Sequence, residues 1–90
     1  MTQNERIAAL KSKMIESRAI AAVVTIHGPY LATRTHRSYC EASINVTFQP
    51  WPEFPDRTFP LHSSFVVRSY SRARAIARRL ERVAASAVQS

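Results

Sequence analysis

Eleven of the thirteen cationic side chains are arginine, and five of these crowd near the C-terminus: Arg72, Arg74, Arg78, Arg79 and Arg82, with Glu81 as the one acid among them. A guanidinium presents its donors in a planar fork and suits bidentate phosphate contact better than the point charge of lysine does. Arg74, Arg78 and Arg82 repeat at i, i+4 and i+8. On a helix they form a stripe of like charge, flanked by Arg72 and Arg79, that costs a few tenths of a kcal/mol per pair. Arg72 and Arg74 would also stand in the first turn of a helix capped by Ser71, where the dipole disfavours a cation by roughly 0.3–1 kcal/mol each. A polyanion lying along the stripe removes both penalties, because each neutralised phosphate releases counterions. A solvated basic face, or a coding preference for arginine and alanine, is the plainer account.

A second group lies in Tyr30-Leu31-Ala32-Thr33-Arg34-Thr35-His36-Arg37-Ser38-Tyr39. Its two arginines, Arg34 and Arg37, stand among hydroxyls, a histidine and tyrosines that can reach a groove or stack on an unpaired base. An ordinary hairpin loop has the same composition. His27, His36, His62 and Cys40 are the possible ligands or catalysts. They form no C-x-x-C, H-E-x-x-H, Walker or dinucleotide pattern, and a single glycine cannot build a phosphate-cradling loop. Arg34, His36, Arg37 and Tyr39, with His27 or His62, have the chemistry to activate a ribose 2′-hydroxyl and stabilise a phosphorane. Small basic ribosome-dependent toxin nucleases are similar to this chain in size and charge, but they open with a strand. The expectation is therefore a protein without enzymatic activity, metal or cofactor.

The elements must be inferred from a chain of 90 residues, enough for one domain spanning 1–90 and one small core. Its formal charge is +7, its pI near 10.8, and 46% of its residues are hydrophobic. That composition suits a folded basic domain rather than a disordered tail. The charge is concentrated: residues 64–90 hold six arginines against Glu81, whereas residues 23–63 are balanced. The longest uncharged stretch, Ala19 to Thr33, is interrupted by His27 and Gly28-Pro29 and is too short to cross a bilayer. The N-terminus lacks the pattern of a signal peptide, and the single Cys40 has no internal disulfide partner. A cytoplasmic location is expected.

Thr2-Gln3-Asn4-Glu5 reads as a capping box for a helix over about 3–18, with Ile7, Leu10, Met14 and Ala21 on one face. A β-branched run predicts a first strand over about 20–27, ended by Gly28-Pro29. Cys40, Ala42, Ile44, Val46 and Phe48 alternate with Glu41, Ser43, Asn45, Thr47 and Gln49, which marks a strand over about 38–49 covered on one side. The Pro-rich segment 50–62 reads as a stiff loop, with Trp51-Pro52, Phe54-Pro55 and Phe59-Pro60 open to the cis form. A third strand is expected over 64–70 and a helix over 72–88. Around Leu80, the residues Ala73, Ile76, Ala77, Val83, Ala84 and Ala87 fall within about 60°. The fold class is α+β: α-β-β-β-α, a three-stranded antiparallel sheet with two helices packed on one face.

That order resembles the double-stranded-RNA-binding domain, with Gly28-Pro29 after the first strand, an alternating second strand, and a basic last helix opening at Ser71-Arg72. The resemblance implies phosphate contacts from the start of the last helix, with helix one and the first loop at minor grooves. Leu31 stands where that family has a histidine after its Gly-Pro pair, and Ala73 and Ile76 where it has lysines. The likeness therefore covers element order more than diagnostic residues. The expected partner is nucleic acid, with a slight preference for a duplex, held through its backbone with little sequence readout. Alternatively, the chain resembles phage or mobile-element inhibitors such as anti-CRISPR proteins in being a small domain without a catalytic pattern. The arginine stripe would then meet an acidic protein surface, with Trp51 and Phe54 as anchors. A mostly alanine apolar face argues against a membrane partner. Exposed strand edges leave a homodimer open.

Overall fold

The alternation over residues 40–48 forms the central strand of the computed structural model, which describes residues 1–88; Gln89 and Ser90, which the single-domain reading included, lie outside it. The elements run α1 (Gln3–Glu16), β1 (Ala19–Leu31), β2 (Ser38–Phe48), β3 (Phe59–Val67) and α2 (Tyr70–Ala87), the expected α-β-β-β-α order. The sheet is antiparallel with strand order β1-β2-β3. On its inner face Ala42, Ile44, Val46 and Phe48 form one core with Ile7, Leu10 and Met14 of α1 and Ile76, Ala77 and Leu80 of α2. Each large side chain buried there contributes roughly 1.5–3 kcal/mol. Buried Ala73, Ala77 and Ala87 let α2 sit close to the sheet. Cys40 is a free, buried thiol on the same face.

Several element boundaries differ from the sequence expectation. β1 does not stop at His27. Gly28 and Pro29 form a bulge between the pairs His27↔Glu41 and Tyr30↔Tyr39, and the strand continues to Leu31. Gly28 has φ +109°, and a Cβ there would stand 2.9 Å from the Tyr39 carbonyl oxygen, so only glycine fits. The cis peptide bond among the described residues is Gly28–Pro29, not an aromatic–Pro bond. β3 starts at Phe59 rather than Ser64 and ends at Val67, which shortens the Pro-rich loop to residues 49–58. Pro60 is tolerated because β3 is an edge strand. The Ser64 carbonyl accepts from the Arg6 guanidinium at 2.8 Å and so faces away from β2. Pro60 has the same parity, and its missing N–H falls on the free edge.

Both helices also begin and end by local rules. The Thr2 hydroxyl accepts from the Glu5 amide and donates to the Glu5 carboxylate, so the carboxylate does not reach the cap amide as a full capping box would. α1 ends at Glu16. Arg18 then takes a positive φ and turns the chain into β1, so Ala21 lies in a strand rather than on the helix. Ser69, not Ser71, caps α2 by accepting from the Arg72 amide at 3.3 Å. That earlier start moves Arg74 beyond the first turn and leaves only Arg72 against the dipole. α2 closes at Ala87, with Val88 as its cap. No helix among the described residues is long and apolar enough to cross a membrane.

Candidate nucleic-acid interface

Along α2, Arg72, Arg74, Arg78 and Arg82 are exposed and Arg79 is half-buried, with no acid in the first turn. Arg74, Arg78 and Arg82 follow the stripe expected from their spacing, with Arg72 and Arg79 on its flank. Arg72 and Arg79 line a groove of about 350 Å³ with Gln3 at the start of α1. Arg74 and Arg78 line a shallower one of about 200 Å³ with Tyr70 and Ser71. Arg82 continues the outer surface one turn beyond Arg78. At 1.5 Å rise per residue, Arg72 to Arg82 spans about 15 Å, the axial length of roughly four phosphates on one strand of a duplex.

The two loop arginines sit on a projection. Pairing of β2 with β3 ends at Cys40↔Val67, whereas β1 and β2 stay paired out to Leu31↔Ser38. The chain therefore carries a two-stranded arm whose turn is closed by the His36 amide on the Ala32 carbonyl (2.9 Å) and the Ala32 amide on the Arg37 carbonyl (3.0 Å). Arg34 and Arg37 are exposed at this tip. Tyr30 and Tyr39 pack across the arm with ring centroids 5.5 Å apart. The molecule is correspondingly long, 50 × 22 × 21 Å. Because β3 ends and α2 begins beside the arm, its base and the start of α2 share one end of the molecule.

Where the arm overhangs β3 there is a cleft of about 490 Å³, into which Arg37, Tyr39, Glu41, Val66 and Arg68 converge. Sequence reading grouped Arg37 and Tyr39 with the 30–39 loop but did not assign Glu41 and Arg68 to a site. The alternation of β2 puts Tyr39 and Glu41 on one face. The register that brings Arg68 beside them is long-range, and no sequence signal carried it.

The rest of the outer sheet face is mostly polar and hydrogen-bonded, with Val23 exposed upon it. Thr25 and Ser43 share a hydrogen bond of 2.8 Å, and the Thr25 hydroxyl also meets His27 Nε2 at 3.1 Å. Ser43 is 1% exposed although it lies on the outer face, because the neighbouring strands crowd it. His62 Nδ1 meets Asn45 Oδ1 at 2.9 Å, and the Ser64 hydroxyl donates to Glu41 at 3.1 Å. The three histidines are separated: His27 pairs with Glu41, His62 with Asn45, and His36 stands on the tip. Among the described residues no group of three His, Cys, Asp or Glu side chains could hold a metal.

At the opposite end, Trp51 leans on Phe59 at 6.2 Å and Arg57 stacks on Phe54 at 4.6 Å, yet Trp51 and Phe54 stay 44% and 48% exposed. No family model, curated protein or solved structure matches this chain.

Proposed function

We propose that the protein binds nucleic acid through its phosphate backbone, preferring a duplex. The observation that carries this reading is the outer half of α2, which bears five arginines and a single acid, Glu81, on a helix whose other half is committed to the core. The arm supports it. A two-stranded ribbon with Arg34 and Arg37 at its tip has the cross-section that a major groove about 12 Å wide admits. Neither feature reads base sequence, so little sequence specificity is expected.

The test is fluorescence anisotropy with duplex DNA, duplex RNA and single strands at about 50 and 200 mM salt. Duplex binding should weaken at least tenfold when Arg74, Arg78 and Arg82 are changed together to Gln, with the circular-dichroism spectrum unchanged. Equal affinity in the triple variant overturns the assignment of α2.

Exposed Trp51 and Phe54 favour a second reading, an inhibitor or adaptor that docks these rings and the arginine face on a protein or nucleoprotein surface. Weak, equal binding to all nucleic acids would bring that reading forward, with Trp51→Ala as its first variant.

A further inference from the structure

The cleft under the arm has the dimensions and chemistry of a nucleotide site. The last register pair of β2 and β3 is Cys40↔Val67, so one step further along both strands sets Tyr39 across from Arg68, while Glu41 pairs with Val66. These four positions make a floor about 5 Å across the strands and about 6.6 Å along them, close to the footprint of one base. Arg37 descends from the turn as a further wall. The ring of Tyr39 is braced by Tyr30, and the Glu41 carboxylate is braced by the Ser64 hydroxyl. Val66, 63% exposed, adds an apolar surface with no partner.

Two guanidiniums and one carboxylate in the same cleft select a ligand that is anionic at one end and rich in donors at the other. We infer that this cleft binds a single unpaired nucleotide, with its phosphate between Arg37 and Arg68, its base stacked on Tyr39 and its Watson–Crick edge on Glu41. A carboxylate only accepts hydrogen bonds. Guanine offers it two adjacent donors, the ring N–H and the exocyclic amine. Adenine and cytosine each offer one amine beside an acceptor, and uracil places its one N–H between two carbonyls. The site therefore ranks guanine first and uracil last. This deepens the reading of the chain as a nucleic-acid binder but uses none of the α2 arginines. The guanylate is either free or part of a strand.

The experiment is amide NMR titration of the protein with GMP, AMP, CMP and UMP. GMP is expected to shift resonances of residues 35–41 and 66–68, with UMP the weakest of the four. Tyr39→Leu should weaken GMP at least about fivefold, the low end for a lost base–aromatic contact, and Arg68→Gln should weaken it through the lost charge-assisted phosphate contact. Tyr39→Phe should keep binding, and Glu41→Gln should erase the preference for GMP. The absence of shifts in the cleft with any mononucleotide overturns the proposal, as does a guanine preference that survives Glu41→Gln.

The α2 triple variant should keep the GMP shifts. In the unmutated protein, GMP shifts without duplex binding defeat the α2 reading alone, and duplex binding without cleft shifts defeats this one alone. Given GMP binding, a duplex with an unpaired 3′ guanine that binds more tightly than a blunt one identifies the strand as the source. Equal binding identifies the free nucleotide, and either result keeps the site.

Discussion

At the scale of single residues, this chain depends on a few side chains whose replacement has predictable signs. The sequence expectation places the cap of α2 at Ser71; the Ser69 and Ser71 hydroxyls lie 3.3 Å apart, but it is Ser69 that accepts from the Arg72 amide. Ser69→Ala should lower unfolding free energy by about 1 kcal/mol, and Ser71→Ala should be close to neutral. Urea denaturation of the two variants decides between the caps, and a reversed order would move the helix start. Gly28→Ala should cost about 1–3 kcal/mol, because the new methyl group meets the Tyr39 carbonyl and the backbone holds a positive φ. The same titration measures it. Both residues were visible in the sequence, but their roles were not. A serine beside another serine carries no mark of which hydroxyl lies within reach of an amide. A Gly-Pro pair ends a strand in one context and bulges it in another.

At the scale of elements, β2 was legible because its apolar and polar residues alternate without a break, and burial on one face has only that solution. Ile44→Ala, at the centre of its inner face, should destabilise by about 2–5 kcal/mol through lost transfer energy and the cavity left behind. Asn45→Ala, one residue away and exposed, should cost far less. β3 was misread at its start because Phe59-Pro60 looks like loop, yet an edge strand accepts a proline whose nitrogen faces solvent, and at its end because α2 begins at Tyr70. α2 was legible in extent but not in its electrostatics. Moving the cap to Ser69 takes Arg74 out of the first turn, so its penalty is repulsion from neighbouring arginines rather than the dipole. If the helix neutralises about four phosphates, log K for duplex binding should fall with log salt at a slope near −4. The triple Gln variant should flatten that slope by about three, which anisotropy across a salt series would show.

At the scale of the whole molecule, the three-stranded body and the arm divide stability from reach. The core lies where β2 is flanked on both sides, and the arm lies beyond the last β2–β3 pair. Hydrogen exchange should therefore be slowest at the β2 amides between Ala42 and Val46 and fastest in the turn at 33–35. Replacing residues 31–38 with an Asn-Gly turn should leave the melting temperature within about 5 °C while weakening duplex binding. A collapse of the fold would mean that the arm supports the body. By itself the sequence determined the element order, the inner face of β2, the apolar half of α2 and the concentration of arginine outside it. Each of these follows from the local period of a helix or strand and from composition. Only the tertiary structure decided that the hairpin outruns β3 and that Arg37, Tyr39, Glu41 and Arg68 meet in one cleft. Those facts depend on strand register and on where pairing stops, which are set by contacts between residues far apart in the chain.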